Sequence, residues 1–435
     1  MKADYLIVGC SAGGIGAAEA IREVDRDGSI VIVGEEPYLA YSRPMIAKYL
    51  SGQKTVEKIL FRRPEFYTNN NITCLTGVKA EAVDTTAHEV SLSNGEKIGY
   101  GKLLLAPGGK PIVPPIDGAN KAGVFNFINM KDASLIDSYV KAENVKKAVI
   151  IGGGLIGMSA ADALTKLGIE VDIIELKGHI LNTILDEAAG KIATQTVTSY
   201  GVKLNTGRTV SKVLGLHKVS GVELDNGHQI ESQMLVIAIG VIPRTELCKA
   251  AGLEVNRGVV VNDNMRTSSP DVYACGDACE SFDFIYNSRR VTPIWPNAYI
   301  GGRIAGYNMA GLETTYHGGT VMNSLNYFGM DIATAGMSVL PPDAGGLEVI
   351  STLTANGYKK LVLNEQGKIV GMLTLGETDT AGIIFGLMRD QSDVRPIKDN
   401  ILNENFGLAY LPADSREEHL HGNTSGRVAP ADFKH

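Results

Sequence analysis

Two glycine-rich loops carry the clearest chemical signal in the 435-residue sequence. The first loop, residues 9–14, reads Gly-Cys-Ser-Ala-Gly-Gly and follows an apolar run at residues 5–8. The second loop, residues 152–157, reads Gly-Gly-Gly-Leu-Ile-Gly and follows an apolar run at residues 148–151. Glycines let a backbone approach a pyrophosphate closely, and the free N–H groups at the start of the next helix bind its oxygens. We therefore predict that the chain binds two dinucleotides.

An acidic residue follows each loop where the ribose of a dinucleotide would lie. After the first loop, the predicted strand at residues 29–33 leads to Glu35 and Glu36. After the second loop, the predicted strand at residues 170–174 ends at Glu175. Carboxylates at these positions accept hydrogen bonds from ribose hydroxyls. A single glycine loop is also typical of an ordinary tight turn, but two complete strand–loop–helix–strand–acid units favour dinucleotide binding.

Three residues refine this prediction. Ser11 takes the place of the second glycine in the usual Gly-x-Gly-x-x-Gly pattern, and its small side chain preserves the close approach. Glu175 favours NAD over NADP, because a carboxylate accepts hydrogen bonds from a free 2′-hydroxyl and repels a 2′-phosphate. Lys177 keeps NADP open as the alternative, since an ammonium group near this position would attract that phosphate.

The composition of the chain limits its location and its partners. Hydrophobic residues make up 44%, charged residues make up 20%, and the formal net charge is −7. These values predict a globular protein and exclude nucleic acid as a main partner, which would need clustered Lys and Arg. No stretch approaches the roughly 18 consecutive apolar residues of a membrane span, so no membrane partner is predicted. The five dispersed cysteines lack the spacing of a secreted disulfide framework and indicate the cytoplasm.

Three further motifs indicate a family. Residues 103–109 read LLLAPGG, residues 238–243 read AIGVIP, and residues 271–277 read DVYACGD. Together with the two loops, they resemble the two-dinucleotide FAD/NAD(P) oxidoreductases, a group that includes the pyridine nucleotide–disulfide reductases. The resemblance covers about residues 1–412 and implies that the first loop binds FAD and the second binds NAD(H). It also implies that Asp277 hydrogen-bonds the ribityl chain of the flavin.

The resemblance implies a fold class and a domain division. The fold class is α/β, with two Rossmann-like dinucleotide-binding domains, the NAD domain being inserted in the FAD domain. A C-terminal α/β interface domain, which in relatives often mediates a homodimer, follows them. The predicted parts are the first FAD segment at 1–112, the NAD domain at 113–239, the second FAD segment at 240–320, the interface domain at 321–412 and a polar tail at 413–435.

The same resemblance assigns the cofactor contacts. The predicted FAD contacts are Gly9, Ser11, Ala12, Gly13, Gly14, Glu35, Glu36, Arg43, Lys48, Val78, Ala106, Pro107, Gly108, Gly276, Asp277, Pro296, Asn297, Ala298 and Tyr299. The predicted NAD contacts are Gly152, Gly154, Leu155, Ile156, Gly157, Glu175 and Gly240. Pro296 is predicted to start a helix whose free N–H groups, at Ala298 and Tyr299, point at flavin N1–C2=O. No metal site is predicted, because an iron–sulfur cluster needs closely spaced thiolates.

A cysteine that is typical of the disulfide reductases is missing from residues 37–48. In those enzymes it lies beside the flavin, soon after the first acid, and here Pro44 takes its position. Arg43, Pro44 and the nearby Lys48 resemble rubredoxin and ferredoxin reductases, and flavoproteins that pair with iron–sulfur proteins in anaerobes. By this resemblance these three residues are the predicted catalytic residues, with Lys48 near flavin N5. The alternative for Lys48 is a solvated surface lysine.

These observations predict an FAD-dependent NAD(H) oxidoreductase that passes electrons between NAD(H) and an iron–sulfur carrier protein or partner subunit. A homodimer or a component of a larger complex is expected. Cys275 and Cys279 flank Asp277 and could replace the missing thiol, but we predict that both are small packed residues. Two alternatives stay open. The first is an NADH oxidase, peroxidase or disulfide reductase whose thiol is lost or moved, and the second is a non-catalytic flavoprotein subunit.

Overall fold

A computed structural model describes residues 1–341, 344–354, 357–411 and 416. These residues form two compact units. The first unit contains Met1–Met322 and Tyr327–Gly329. The second unit contains Asn323–Asn326 and the described residues from Met330 onward.

A seven-stranded sheet organises the beginning of the first unit. Residues 2–111 form β1 (Lys2–Val8), α1 (Ala12–Val24), β2 (Ile30–Gly34), α2 (Ile46–Leu50), α3 (Val56–Ile59), α4 (Pro64–Asn69), β3 (Ile72–Thr76), β4 (Ala80–Asp84), β5 (Glu89–Leu92), β6 (Lys97–Leu105) and β7 (Gly109–Pro111). β1 lies between β2 and β6 and is parallel to both, and β3 extends the parallel part beyond β2. β5 and β4 continue the sheet in antiparallel pairing. Every residue of β2 is buried, as expected for a parallel strand covered on both faces.

The middle of the first unit contains a second parallel sheet. Residues 124–237 form β8 (Val124–Asn126), α5 (Met130–Glu143), β9 (Lys147–Ile151), α6 (Leu155–Lys166), β10 (Glu170–Glu175), α7 (Glu187–Ser199), β11 (Lys203–Thr206), β12 (Val210–Leu214), β13 (Gly221–Leu224), β14 (Gln229–Glu231) and β15 (Met234–Ile237). The parallel strands run in the order β11-β10-β9-β15-β8, and β12, β13 and β14 form a separate antiparallel sheet. The helix α5 begins after Asn129, whose side chain accepts the N–H of Asp132 as an N-cap.

The chain then returns to the first sheet. The next elements are β16 (Val241–Pro243), α8 (Glu246–Ala250), β17 (Val259–Val260), β18 (Val272–Ala274), β19 (Cys279–Asp283), β20 (Ser288–Arg290) and α9 (Trp295–Met309). β16 pairs with β7, and β18 pairs in parallel with β6. This return follows the predicted insertion of one domain in another, although both sheets belong to one compact unit. The division at residues 112, 239 and 320 stays a prediction.

Helix α9 packs closely on α1. A Cβ on Gly302 would overlap the carbonyl oxygen of Gly13, and a Cβ on Gly306 would overlap that of Ala17. Side chains at either position would therefore separate the helices, so glycine permits this contact. The contact fixes the start of α1, which carries the first glycine loop.

The second unit is built around a five-stranded sheet. The elements of this part of the chain are β21 (Met322–Tyr327), β22 (Met330–Gly336), β23 (Glu348–Thr354), β24 (Gly357–Leu363), β25 (Ile369–Leu375) and α10 (Ala381–Arg389). The strand order is β21-β22-β25-β24-β23, and β25 is buried at every residue. Within the unit α10 packs against β25. The predicted tail at residues 413–435 lies outside the described residues, apart from Arg416.

The predicted α/β class with two parallel Rossmann-like sheets is confirmed. Each predicted glycine loop joins a parallel strand to a helix. Within residues 1–341, 344–354 and 357–411, no helix has the length and apolar character needed to cross a membrane.

Candidate functional site

The first glycine loop leaves β1 and enters α1 at the edge of the first sheet. Gly9 has a φ of +122°, and a Cβ there would overlap the carbonyl oxygen of Ala106. Glycine alone meets both conditions without strain. Ser11 is the N-cap of α1, and its side chain makes no capping hydrogen bond. The first N–H groups of the helix, including those of Ala12 and Gly13, are therefore available to an anionic ligand.

Two other predicted FAD segments border this loop. The N–H of Ala106 donates to the carbonyl oxygen of Val8 over 2.8 Å. A Cβ on Gly13 would lie 2.6 Å from Sγ of Cys275. The segments that carry Ala106 and Asp277 therefore lie at the same sheet edge as the loop. A pyrophosphate cradle with several chain segments around it fits FAD.

The remaining predicted residues of these segments lie at nearby strand ends. The N–H of Val78 donates to the carbonyl oxygen of Gly34 over 3.0 Å, at the end of β2. Gly108 has a φ of +73°, and its carbonyl oxygen accepts the N–H of Arg244 over 2.9 Å. Pro107, between β6 and this turn, is half-buried. All of them border the end of the first sheet.

Asp277 lies in the short 3-10 turn Gly276–Ala278 after β18. Burial raises the pKa of its carboxyl group above the usual range, and the positive charge of Arg43 partly offsets this increase. The backbone N–H of Asp277 itself also donates to this carboxyl group. A buried carboxyl group with few partners fits the ribityl chain of FAD, whose hydroxyls would supply the missing hydrogen bonds.

The two acids after β2 have different surroundings. Glu36 accepts hydrogen bonds from the Tyr41 hydroxyl at 2.7 Å, from Nη2 of Arg43 at 2.7 Å and from the N–H of Met130 at 3.3 Å. Glu35 is 49% exposed at its side chain and pairs with Arg244 at 2.5 Å. Internal donors fill Oε2 of Glu36 and leave one lone pair on its Oε1, so both acids stay predicted ribose contacts.

Of the three predicted catalytic residues, Pro44 and Lys48 are exposed and Arg43 is half-buried. Arg43 and Pro44 lie in the 3-10 turn Arg43–Met45, and Nη1 of Arg43 also donates to the carbonyl oxygen of Ile128 over 3.1 Å. With Glu36 and Ile128 as partners, Arg43 holds this turn against the start of α5, and its catalytic role stays a prediction. Lys48 on α2 is exposed and forms no ion pair within the part of the chain that the structure describes.

The two thiols near Asp277 are packed in the core. Both Cys275 and Cys279 are buried and free, and Sγ of Cys279 donates to the carbonyl oxygen of Gly276 over 3.4 Å. Burial raises the pKa of Cys275 to about 12 and also raises the pKa of Cys279. Because thiolates are the reactive forms, these surroundings support the prediction of packed residues over a redox pair.

One prediction about α9 is wrong. Pro296 lies in the first turn of the helix, as predicted, but the N–H of Ala298 donates to the carbonyl oxygen of Ile294 over 3.1 Å. This N–H is therefore committed within the helix, because the helix begins one residue earlier than predicted. The side chains of Asn297 and Tyr299 are also engaged. Asn297 donates to Thr320 over 3.2 Å, and the Tyr299 hydroxyl donates to Glu19 over 2.7 Å.

The second glycine loop leaves β9 and enters α6. Gly152 has a φ of +102°, and a Cβ on Gly157 would overlap the carbonyl oxygen of Gly152. Gly154 is the N-cap of α6, and a Cβ there would have no described atom within 4 Å. The predicted residues Leu155 and Ile156 form the first turn of the helix. The loop thus presents a helix N-terminus to open space, which fits a second pyrophosphate.

Glu175 ends β10 and braces this loop. Its side-chain Oε2 accepts the N–H of Gly153 at 2.6 Å, and its Oε1 accepts the N–H of Lys177 at 2.8 Å. Each carboxylate oxygen has two lone pairs, so one on each oxygen is left for a ribose hydroxyl. The acid therefore shapes the loop as well as offering the predicted contact. The last predicted residue, Gly240, has a φ of +123° and accepts the N–H of Ile112 over 3.0 Å.

Tyr327 is a site residue that the sequence did not reveal. Its hydroxyl donates to the carbonyl oxygen of Leu155 over 3.1 Å, within the first unit. Burial raises the pKa of Tyr327. No local pattern marks this contact, because 172 positions separate the two residues.

A family model described as pyridine nucleotide-disulphide oxidoreductase matches residues 3–302. The chain belongs to this family. Family members of this kind combine FAD with NAD(H), so the predicted cofactors and the predicted class of enzyme are confirmed. The glycine loops described above fit both dinucleotides.

The chain is similar to several characterised family members. It is 31% identical to nitrite reductase [NAD(P)H] of Bacillus subtilis, over 90% of this chain and 48% of that protein. It is 29% identical to NADH-dependent phenylglyoxylate dehydrogenase subunit epsilon of Aromatoleum evansii, over 91% of this chain and 93% of that one. The structure of NADH:rubredoxin oxidoreductase from Clostridium acetobutylicum superposes with a TM-score of 0.75 at 26% identity, covering 93% and 100% of the two chains. The chain thus spans about half the length of the nitrite reductase and nearly all of the other two.

Proposed function

We propose that this protein transfers electrons between NAD(H) and a separate iron–sulfur carrier protein or partner subunit. The observation that carries the proposal is the turn Arg43–Met45, which holds Pro44 and no thiol. Residues 11–73 contain no cysteine at all. When bound, FAD accepts a hydride from NADH and releases electrons singly, as an iron–sulfur carrier requires. Without a sulfur to receive them, these electrons pass to an acceptor outside the chain.

The packed thiols support the same conclusion. Cys275 and Cys279 are near the segment of Asp277, but both are buried and the pKa of each is raised by burial. A dithiol that exchanges electrons needs an accessible thiolate. Neither residue meets that requirement, so a redox disulfide between Cys275 and Cys279 is disfavoured.

The charge of residues 43–63 supports a protein acceptor. This segment contains six Lys or Arg residues and one Glu, in a chain whose net charge is −7. Lys48, Lys58 and Arg63 are exposed, and none of them has an ion-pair partner within the described residues. A positive surface attracts an acidic protein and speeds its association, most strongly at low salt. We therefore assign residues 43–63, called the basic segment below, to the docking of the carrier.

Two of the relatives support this proposal. The Clostridium acetobutylicum protein is named for rubredoxin, and the Aromatoleum evansii protein is one subunit of a larger NADH-dependent dehydrogenase. By analogy we propose that this chain works as a homodimer or as a component of a complex. Its five free cysteines suit the reducing cytoplasm.

We further propose where the two cofactors bind. The FAD site comprises the first glycine loop with the segments of Ala106 and Asp277, and Lys48 faces the flavin. The NAD(H) site comprises the second loop with Glu175. The FAD domain would then consist of residues 1–112 and 240–320, with the NAD domain between them and the interface domain at 321–412.

Anaerobic stopped-flow spectroscopy tests the function. NADH should bleach the flavin, and rubredoxin or ferredoxin should restore its colour much faster than peroxide or a disulfide does. The rate with the carrier should fall as ionic strength rises, because screening weakens docking at the basic segment. Rapid reoxidation by peroxide alone would favour the oxidase or peroxidase alternative. No bleaching would favour the non-catalytic alternative.

Two variants sharpen this test. Pro44→Cys should not raise the rate with the carrier, because the proposed path does not pass through a thiol. Lys58→Glu should lower the carrier rate about threefold to tenfold at low salt and leave NADH bleaching unchanged. Lys249→Glu is the matched control, since Lys249 is exposed, lies outside the basic segment and, like Lys58, has no ion-pair partner within the described residues. If both lysine variants lowered the carrier rate equally, the assignment of the basic segment to carrier docking would be wrong.

A further inference from the structure

Two cysteines that the proposed electron path does not use lie side by side at the first glycine loop. The Sγ atoms of Cys10 and Cys74 are 3.7 Å apart, and both cysteines are free thiols. Cys10 is the second residue of the loop, and Cys74 is in the middle of β3. The sulfur–sulfur distance in a disulfide is about 2.05 Å, so the two sulfurs need to approach each other by about 1.7 Å.

Cys10 can reach Cys74 because Gly34, at the end of β2, has no side chain in the way. A Cβ on Gly34 would lie 2.8 Å from the Cβ of Cys10, so a larger residue at the end of β2 would displace the cysteine. β2 pairs with β3, with Ile32 opposite Cys74. The side chain of Cys10 therefore passes over the end of β2 and reaches β3. Both thiols are half-buried, which leaves them accessible to a small oxidant.

The two thiols differ in acidity. The hydrogen bond from Cys74 lowers the pKa of Cys10, and the Tyr67 hydroxyl and the Ala40 backbone act in the same direction. The shared hydrogen bond and burial raise the pKa of Cys74. Cys10 is therefore the nucleophile of the pair, since the thiolate is the reactive form. The isolated Cys248 differs, because burial raises its pKa to about 11.

We propose that Cys10 and Cys74 form a reversible disulfide when the FAD-loaded protein meets a peroxide. The Cys10 thiolate attacks one peroxide oxygen, the O–O bond breaks, and hydroxide leaves, so that Cys10 becomes a sulfenic acid. The Cys74 thiol then attacks the Cys10 sulfur, the S–O bond breaks, and water leaves. The two thiols lose two electrons, which reduce the peroxide to water. A dithiol reductant reverses the reaction by thiol–disulfide exchange.

The disulfide holds the first glycine loop against β3. Residue 10 lies between Gly9 and Ser11, whose backbone forms the proposed pyrophosphate cradle. This part of the inference rests on the proposed FAD site. A cross-link at residue 10 limits opening of the cradle, so FAD leaves the oxidised protein more slowly. Oxidation therefore protects the flavoprotein from losing its cofactor.

Disulfide mapping on the FAD-loaded wild-type protein tests the cross-link directly. The protein is reduced with dithiothreitol, desalted without oxygen, treated with one to a few equivalents of hydrogen peroxide, and alkylated after denaturation. We expect two of the five cysteines to escape alkylation, a peptide pair joined through residues 10 and 74, and full recovery of thiols with dithiothreitol. Five reactive thiols, a different pair, or Cys10 oxidised without linkage to Cys74 would overturn the proposal.

Variants and FAD release complete the test. Cys10→Ala and Cys74→Ala should each abolish the cross-linked peptide, and Cys248→Ala should leave it unchanged. Oxidised wild-type protein should release FAD roughly tenfold more slowly than reduced protein, measured as free-flavin fluorescence after dilution into mild denaturant. Equal release rates would refute the protective effect even if the disulfide forms. Neither measurement involves NADH or an iron–sulfur carrier, so failure of the proposed electron-transfer function is detected separately.

Discussion

The two glycine loops share a sequence pattern, but their surroundings differ. The first loop is bordered by the segments of Ala106 and Asp277, and its helix packs on α9 through glycine contacts. The second loop has an open N-cap at Gly154, and its acid, Glu175, hydrogen-bonds the loop itself. A ligand enclosed by several segments leaves slowly, whereas a ligand at an open helix end exchanges readily. The difference supports the proposal that the first loop retains FAD and the second receives NAD(H) in each turnover.

Gly9→Ala should have the largest effect, because it acts on the enclosed loop. The φ of +122° disfavours alanine, and its Cβ would overlap Ala106. We expect at least about 100-fold weaker FAD binding, which the ratio of flavin to protein absorbance after purification would measure. Gly52→Ala is the control, since Gly52 has a φ of +72° with no atom near its Cβ position. A fully loaded Gly9→Ala protein would contradict the enclosure of FAD at this loop.

Gly157→Ala should damage the second loop alone. Its Cβ would overlap the carbonyl oxygen of Gly152, so the loop must shift. The variant should keep its FAD, and the rate of flavin bleaching at low NADH should fall about 30-fold, as anaerobic stopped-flow measurements would show. Gly154→Ala adds a Cβ in open space and should leave the melting temperature unchanged. Loss of FAD from Gly157→Ala would mean that the two loops are not independent.

Glu175→Gln should have an intermediate effect. In glutamine an NH2 group replaces one of the two carboxylate oxygens, so the N–H of either Gly153 or Lys177 loses the oxygen that accepts it. We expect kcat/KM for NADH to fall about tenfold and the preference for NADH over NADPH to narrow, because a neutral side chain does not repel a 2′-phosphate. Glu170→Gln, at the exposed start of β10, is the control and should change neither value. An unchanged preference for NADH over NADPH would mean that other residues set this selectivity.

Tyr41→Phe should have the smallest effect. It tests whether the carboxylate of Glu36 serves the fold through its internal hydrogen bonds. The Tyr41 hydroxyl donates to Glu36 and accepts the buried N–H of Met130 at 2.9 Å. Its loss should lower the free energy of unfolding by about 1–2 kcal/mol, measured by denaturant titration, with NADH kinetics nearly unchanged. Tyr38→Phe removes a hydroxyl with no recorded partner among the described residues and should be neutral. A tenfold loss of NADH activity in Tyr41→Phe would indicate that Glu36 also serves the cofactor.

The sequence predicted the parts of the site that are local. Each glycine loop lies within one strand–loop–helix unit, whose pattern of apolar, glycine and acidic residues spans about 25 positions. The position of Pro296 in the first turn of α9 was predictable for the same reason. Ala298 was misassigned because one residue decides which N–H groups at a helix start are free, and sequence patterns place boundaries less accurately than that.

Contacts between distant segments were not predictable. Met130 meets Glu36 across 94 positions, and Cys74 meets Cys10 across 64. Tertiary packing creates these pairs, and no periodicity in the sequence encodes them. The sequence alone does not distinguish Glu35 from Glu36 for the same reason. It does not show that Glu36 contacts Arg43 and that Glu35 contacts Arg244.

The packing of α9 on α1 has a consequence for synthesis of the protein. Glu19 on α1 and Tyr299 on α9 are 280 positions apart, so α1 emerges from the ribosome long before its neighbour exists. During that interval the second parallel sheet, formed by β8, β9, β10, β11 and β15, can fold first, because its contacts are closer in sequence. The proposed flavin-binding edge then closes late, after α9 (Trp295–Met309) has been synthesised. FAD therefore has access to an open cradle throughout translation of the middle of the chain.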